Sequence, residues 1–180
     1  ENPHDKTQPN LSYLIIAAHV KEGVELAKSY SLPQEVVDII NQHHGTCLIS
    51  YFYNRAKQRE LKEIVSEEQF RYPGEKPRTK EAALVMLADA VEAAARSLPK
   101  PTHSRLELCI RRIIKERLRD GQLNESDLTL GDLEAITKVF SQMLTSIYHG
   151  RLEYPDLQLV KERKGLEAEN IKQKFVQNNR

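Results

Sequence analysis

Apolar residues recur at helical spacing along nearly the whole chain, and no segment shows the strict alternation of a half-buried strand. Proline and glycine interrupt the pattern at Pro33, at Pro73-Gly74 and at Pro99, where helices are expected to stop or restart. The pattern predicts six helices, over residues 12–30, 33–44, 48–59, 79–98, 104–120 and 129–149. The chain is therefore predicted to be an all-α bundle.

The helix ends carry recognisable capping residues. Gly45 and Gly121 follow predicted helices and suit the left-handed conformation that closes a helix. Thr79 is a predicted N-cap, and Thr129 with Asp132 resembles a capping box. An alanine-rich sequence after Thr79 lets neighbours approach closely, so this helix should be central.

The spacing also predicts which side chains form the core. In the first helix the predicted stripe is Leu11, Ile15, Ala18, His19 and Leu26. In the second helix it is Val36, Val37 and Ile40, and in the fifth Leu106, Cys109, Ile110, Ile113 and Ile114. In the sixth helix it is Leu133, Ile136, Phe140, Met143, Leu144 and Ile147.

Length and charge limit the classes of function. We expect residues 1–155 to form one domain, residues 66–78 a surface loop, and residues 156–180 a charged tail or surface helix. The 27 basic residues balance the 26 acidic ones, which argues against a nucleic-acid polymer as partner. Cys47 and Cys109 are too few for a disulfide framework and are expected to be buried thiols in a reducing cytosol. The longest apolar run, Tyr13–Ala18, is far too short to span a membrane.

Three histidines and one aspartate occupy positions expected to face inward. His19 lies on the predicted stripe, His43 and His44 close the second helix, and Asp89 lies within an apolar stretch predicted to be fully buried. A buried carboxylate needs a cation or several donors. Each residue alone has another explanation: a core histidine, a pair that complements a helix dipole, or an aspartate paired with Arg96. Together they form a ligand set suited to iron, manganese or zinc.

Several longer runs resemble the cytoplasmic HD domain of the seven-transmembrane HD hydrolases. They are Asn2-Pro3-His4-Asp5, Ala18–Ala27, Asn41-Gln42-His43-His44-Gly45-Thr46, Arg71-Tyr72-Pro73-Gly74, Lys76–Ala83, Leu87–Ala94 and Asp120–Leu130. The resemblance covers residues 1 to about 155. It implies an HD-domain bundle that hydrolyses cyclic di-AMP to its linear form with two divalent ions, manganese or iron. It also places His19, His43, His44 and Asp89 on metal-ligand positions.

One part of the family pattern is missing. The family has a histidine and a His-Asp dyad upstream of the Asn-Pro segment, so the resemblance implies that this chain lacks its first helices and is impaired alone. We interpret His4-Asp5 as a surface pair, not as that dyad. The resemblance also implies a membrane-bound bacterial parent with this domain in the cytoplasm, and a homodimer is compatible with the sequence.

Substrate contacts are less constrained. Lys80 and Arg96 are candidates for holding a phosphate, and Tyr51, Tyr53 and Tyr72 are candidates for stacking adenine; surface or packing roles remain open for each. Two rival functions also remain open. One is an HD hydrolase acting on another nucleotide, such as a monophosphate or an alarmone. The other is an incomplete site kept for ligand binding or dimerisation.

Overall fold

The computed structural model describes residues 8–59 and 65–149. It contains helices α1 (Pro9–Ser29), α2 (Gln34–Gln42), α3 (Ser50–Arg59), α4 (Lys80–Arg96), α5 (His103–Arg119) and α6 (Leu130–His149). A 3₁₀ turn covers Glu67–Phe70. Extended pairing in these ranges is limited to one antiparallel bridge between Leu48 and Arg71. The predicted all-α fold is confirmed.

Backbone contacts divide the chain into two units, Glu1–Thr145 and Ser146–Arg180. The first unit contains the site described below. The predicted surface pair His4-Asp5 and the predicted tail at 156–180 lie outside the described residues. Among the described helices, none combines the length and the apolar character needed to cross a membrane.

The predicted capping residues are confirmed, although helix boundaries differ from the predicted ones by up to three residues. The hydroxyl of Thr79 accepts a hydrogen bond from the backbone N–H of Ala82 at 3.1 Å. At the start of α6 the N–H of Thr129 donates to the Asp132 carboxylate at 2.9 Å, and the N–H of Asp132 donates to the Thr129 hydroxyl at 3.1 Å. Gly45 and Gly121 have φ of +54° and +65°, the left-handed region that glycine tolerates.

The main core lies where α4 packs between α2 and α5. The side chains that α4 buries are Ala82, Ala83, Met86, Leu87, Val91 and Ala95, so the alanine-rich helix is central as predicted. The five predicted residues of α5 are all buried. Both cysteines are buried and unpaired, and burial raises the pKa of Cys47 to about 11. Its thiol therefore stays protonated at neutral pH and is a poor nucleophile.

A smaller apolar cluster anchors the predicted loop at 66–78. Phe70 is buried against Phe52 and Ala56 of α3, with Tyr13 and Ile16 of α1 packed around them. Pro77 is also fully buried. The segment lacks regular structure apart from the 3₁₀ turn, but two of its side chains hold it firmly against the helices.

The predicted inner face of α1 is wrong. Leu11, Ile15 and Leu26 are each more than half exposed, and His19 is exposed as well. The buried residues of α1 are Pro9, Ser12, Ala17, Val20 and Ala27. Periodicity failed here because apolar residues surround this helix, so more than one stripe fits the sequence. Packing against α2 and α3 selects the face with the smaller side chains.

Other predicted core positions are also exposed. Val36 of α2 and Met143 and Ile147 of α6 lie at the surface, whereas Thr137 and Ser141 of α6 are buried. Small hydroxyl side chains at these two positions allow close packing, and the Thr137 hydroxyl donates to the carbonyl of Leu133 at 2.8 Å. Leu133 and Leu144 are buried as predicted, but hydrophobic spacing alone could not identify Thr137 and Ser141 as further buried positions of α6.

Candidate metal centre

Two helices bring the three predicted histidines together. His19 lies in the middle of α1, and His43 and His44 follow the last residue of α2, which packs on α1. One ring nitrogen from each of His19, His43 and His44 can be chosen so that all three lie within 4.8 Å of one another. The convergence predicted from sequence is therefore present in the structure.

Backbone carbonyls fix the orientation of two of these rings. Nδ1 of His43 lies 2.7 Å from the carbonyl oxygen of Ile40, and Nδ1 of His19 makes the same contact with Ile16. A carbonyl only accepts, so Nδ1 carries the proton in each ring and donates it. Each Nε2 therefore presents a lone pair.

The two remaining nitrogens face each other. Nε2 of His19 and Nε2 of His43 are 3.3 Å apart. With both rings neutral in these tautomers, neither nitrogen can donate to the other, so two lone pairs converge on one point. A proton or a metal cation between them removes this repulsion. Two adjacent nitrogen ligands bound to one ion at ~2.0–2.1 Å lie about 2.8–3.4 Å apart for angles between 90° and 109°, and the observed separation falls in that range.

His44 completes the group and is held differently. Its ring meets the His19 ring edge-on at 4.9 Å between centroids, and the Tyr72 ring stacks on it at 4.2 Å and 18°. Burial, with smaller effects from His43, His19 and Arg117, lowers the pKa of His44 to about 3. The imidazole is consequently neutral at pH 7, which is the form that binds metal.

Asp89 reaches the group from α4. Its carboxylate Oδ2 lies 3.6 Å from Nδ1 of His44, too far for a hydrogen bond. The prediction that Asp89 is fully buried is wrong: its side chain is 48 % exposed, and the neighbouring Leu84 and Val85 are exposed too. Asp89 lies outside the buried stripe of α4, which holds Met86, Leu87 and Val91 together with three of its alanines. An exposed carboxylate can approach an ion at little desolvation cost.

Tyr72 is the predicted substrate-contact residue that lies at the histidines. Burial, followed by the charge of Asp89, raises the pKa of Tyr72 to about 12, so the phenol remains a hydrogen-bond donor. The other candidates have contacts elsewhere. Lys80 pairs with Asp132 at 2.8 Å and Arg96 with Glu92 at 2.6 Å. Tyr53 packs beside Phe52 and Phe70 in the small apolar cluster, and Tyr51 is exposed.

Arg117 is a basic residue near the site that could not be identified from the sequence. Arg117 is half-buried on α5, and its charge contributes to the lowered pKa of His44. It is one of several basic residues in the second half of α5, and nothing in their spacing distinguishes it. Its position follows from how α5 packs on α4.

Comparison with protein families places the histidines inside a recognised domain. A family model described as HD domain matches residues 2–94. That range contains His19, His43, His44 and Asp89.

Two curated relatives are similar over most of this chain. Both are named cyclic-di-AMP phosphodiesterase PgpH. The protein from Bacillus subtilis (strain 168) is 47 % identical over 156 residues, which is 87 % of this chain and 22 % of the relative. The protein from Listeria monocytogenes serotype 1/2a (strain 10403S) is 44 % identical over 155 residues, 86 % of this chain and 21 % of the relative. The chain thus spans about a fifth of the length of these relatives.

Solved structures show the same fold. The HD domain of L. monocytogenes phosphodiesterase PgpH in complex with cyclic-di-AMP matches with a TM-score of 0.78 and 43 % identity. The match covers 85 % of this chain and 71 % of that chain. A second structure of the same HD domain matches with a TM-score of 0.77 and 43 % identity, and covers 83 % of this chain and 69 % of that chain.

Proposed function

The chain belongs to the HD domain family, and on that premise we propose that it is the metal-dependent phosphodiesterase domain of an enzyme that opens cyclic di-AMP to its linear form. The observation that carries the proposal is the His19–His43 pair, whose Nε2 atoms converge at 3.3 Å while each Nδ1 contacts a backbone carbonyl. The relatives' names and the ligand in the similar structure support the choice of substrate.

We propose His19, His43, His44 and Asp89 as ligands of two divalent ions, manganese or iron. Imidazole and carboxylate together suit these metals better than magnesium or calcium. When bound, such ions polarise a phosphate oxygen and supply an acidified water as nucleophile. Upstream residues of the parent protein, the histidine and His-Asp dyad that the family pattern expects, complete the set in this proposal.

The described residues contribute binding and orientation. The carbonyls of Ile16 and Ile40 hold His19 and His43 in the tautomer that leaves Nε2 unprotonated. Asp89 adds a negative charge that offsets the charge of the ions. The Tyr72 phenol, protonated at neutral pH, can donate to a phosphate oxygen. Lys80, Arg96 and Tyr53 stay predictions as substrate contacts, as do a cytoplasmic location, a membrane-bound parent and a homodimer.

An activity assay on the protein together with its native flanking sequence tests this proposal. The metal-stripped protein is incubated with cyclic di-AMP, cyclic di-GMP, a nucleoside monophosphate or an alarmone, without metal or with Mn²⁺ or Fe²⁺, and products are resolved by chromatography. We expect linear dinucleotide from cyclic di-AMP, formed only with Mn²⁺ or Fe²⁺ and lost in His43→Ala. His103→Ala is the matched control, because His103 lies on α5 and contacts the Thr145 hydroxyl.

The other outcomes distinguish the rivals. Turnover of a different nucleotide without turnover of cyclic di-AMP would assign the domain to another HD hydrolase. Binding of cyclic di-AMP without turnover at saturating Mn²⁺ would assign it to a ligand-binding module. Equal activity in His43→Ala and in the unaltered protein would show that the histidine cluster takes no part in the mechanism.

A further inference from the structure

We infer that Arg71, Asp120 and Gln122 are positioning residues for His44. Their hydrogen bonds hold the turn that follows His44, and Arg71 also joins this turn to the segment that carries Tyr72. The hydrogen-bond network is observed independently of any function. Its consequence for metal binding rests on the proposed function. None of the three residues is a proposed metal ligand, so they act through His44.

His44 needs such support more than its partners do. His19 and His43 are each anchored by an Nδ1–H donated to a carbonyl of their own helix. The Nδ1 of His44 has the Asp89 carboxylate as its near polar neighbour, at 3.6 Å, a distance beyond a normal hydrogen bond. The orientation of the His44 ring therefore depends on its backbone and on the rings around it, of which Tyr72 is the one stacked nearly parallel to it.

Thr46, two residues after His44, is held through its backbone on both sides. Its N–H donates to Oε1 of Gln122 at 3.0 Å, and its carbonyl accepts from Nη1 of Arg71 at 2.9 Å. The Thr46 side chain joins as well, because Nε2 of Gln122 donates to its hydroxyl at 2.9 Å. Gly45 lies so close to this network that a Cβ at that position would overlap Oε1 of Gln122.

Asp120 accepts hydrogen bonds from Arg71 and Gln122, the two residues that bind the backbone of this turn. It accepts from both terminal nitrogens of Arg71, at 3.0 and 2.9 Å, and from Nε2 of Gln122 at 2.9 Å. Gln122 is fully buried, and the Arg71 side chain is 21 % exposed. Paired two-point contacts of this kind are strong and directional. Loss of one partner leaves the others unsatisfied in a partly buried environment.

The same arginine fixes the ring that stacks on His44. Arg71 pairs with Leu48 in the isolated bridge, and the N–H of the next residue, Tyr72, donates to the carbonyl of Cys47 at 3.0 Å. Arg71 therefore links the turn after His44 to the segment holding Tyr72. Its further ion pairs, with Glu67 at 3.6 Å and Glu68 at 3.9 Å, are longer and involve more exposed carboxylates.

Arg71→Lys and Asp120→Asn test the inference. Each keeps the approximate size of the side chain and removes the two-point contact. Arg111→Lys is the matched control, because Arg111 makes an equivalent two-point contact with Glu134, at 2.9 and 2.8 Å, at the surface between α5 and α6.

Two readouts separate positioning from general stability. In metal-free protein, NMR reports the ring-current shift that Tyr72 imposes on the carbon-bound protons of the His44 ring. Calorimetry reports the affinity for Mn²⁺. We expect both Arg71→Lys and Asp120→Asn to reduce that shift and to weaken Mn²⁺ binding by about 10- to 100-fold, the usual effect of losing a supporting partner of a ligand. Arg111→Lys should change neither.

Each result has one meaning. An unchanged His44 shift and unchanged Mn²⁺ affinity in either folded variant would overturn the inference. If Arg71→Lys does not fold, Asp120→Asn alone tests the inference. If Asp120→Asn does not fold either, Asp120→Glu is used in its place, because it keeps the negative charge but displaces the carboxylate. Failure of the unaltered protein to bind Mn²⁺ would reject the proposed function, while the NMR shifts would still judge the positioning network.

Discussion

The phenol ring of Tyr72 lies flat against the imidazole of His44, with ring centroids 4.2 Å apart and planes inclined by 18°. The contact joins the loop before α4 to the end of α2, two segments that are otherwise linked by backbone hydrogen bonds such as that from Tyr72 to Cys47. It covers one face of the only clustered histidine in the described residues that lacks a carbonyl anchor of its own. Tyr72 therefore forms one wall of the site, in addition to the donor role that we propose for its hydroxyl.

Replacing Tyr72 should separate these two roles. Tyr72→Ala removes the stacked ring, so we expect weaker Mn²⁺ binding and a lower melting temperature. Tyr72→Phe keeps the ring and loses the hydroxyl, so Mn²⁺ affinity should be preserved while turnover of cyclic di-AMP falls. Calorimetry and steady-state kinetics on both variants provide the measurements. Mn²⁺ affinity in Tyr72→Ala equal to that of the unaltered protein would show that the ring does not support His44.

The lowered pKa of His44 predicts how stability depends on pH in the metal-free protein. Burial holds its pKa at about 3 in the folded state against 6.5 for the free side chain. Between these values the unfolded chain binds the extra proton, so the free energy of unfolding falls as the pH drops from 6.5 towards 3. One proton gives a slope of at most about 1.4 kcal/mol per pH unit.

Urea unfolding of the metal-free protein between pH 4 and 7 measures this slope. The comparison is with His44→Gln, which keeps a polar side chain that does not titrate. Titrating groups remote from His44 contribute equally to both proteins, so the difference between the two slopes reports His44 and its contacts with neighbours such as Asp89. Identical slopes would mean that His44 is protonated as easily in the folded state as in the unfolded chain.

Asp89→Asn should abolish hydrolysis and leave the fold intact. The side chain is 48 % exposed and makes no hydrogen bond at its 3.6 Å distance from His44, so we expect the free energy of unfolding to change by less than about 0.5 kcal/mol. Glu92→Gln is the control, because Glu92 lies on the same helix and pairs with the exposed Arg96. Kinetics and urea unfolding check both variants. Normal turnover by Asp89→Asn would exclude the carboxylate from the metal site.

The sequence predicted the site better than it predicted the core. His19, His43 and His44 could be grouped because three imidazoles and a carboxylate were all predicted to face inward, and the family resemblance named the same residues. The reason given for His19 and for Asp89 was nevertheless wrong, since both are exposed and do not face the interior. They meet His43 and His44 at an exposed edge of the bundle, and no periodicity argument distinguishes such an edge from the interior.

The network behind His44 could not be predicted at all. Arg71, Asp120 and Gln122 are polar residues next to glycines and prolines, a composition typical of any surface loop. Their importance depends on contacts between residues 49 and 76 positions apart in the chain. The prediction that Leu11 and Ile15 are buried failed because the sequence offered too many candidates. Apolar residues surround α1, and only packing selects its buried face.

Substitution of Gly45 tests the tight approach beside His44. At φ of +54° an alanine is strained, and its Cβ would lie 2.8 Å from Cε of Met86 as well as overlapping Gln122. We expect Gly45→Ala to lower the free energy of unfolding by about 2 kcal/mol or more. Gly131→Ala is the control, because its Cβ would make only ordinary contact with Thr129 at 3.7 Å. That change should be neutral or slightly stabilising in urea unfolding.

The location of a bound metal ion tests the central claim most directly. Crystals of the protein grown with Mn²⁺ give anomalous difference density at the manganese absorption edge. We predict a peak about 2.0–2.2 Å from Nε2 of both His19 and His43, on the side of the cluster where His44 and Asp89 converge. Manganese bound elsewhere, with the two Nε2 atoms still unligated at saturating Mn²⁺, would contradict the assignment of this cluster as the metal centre.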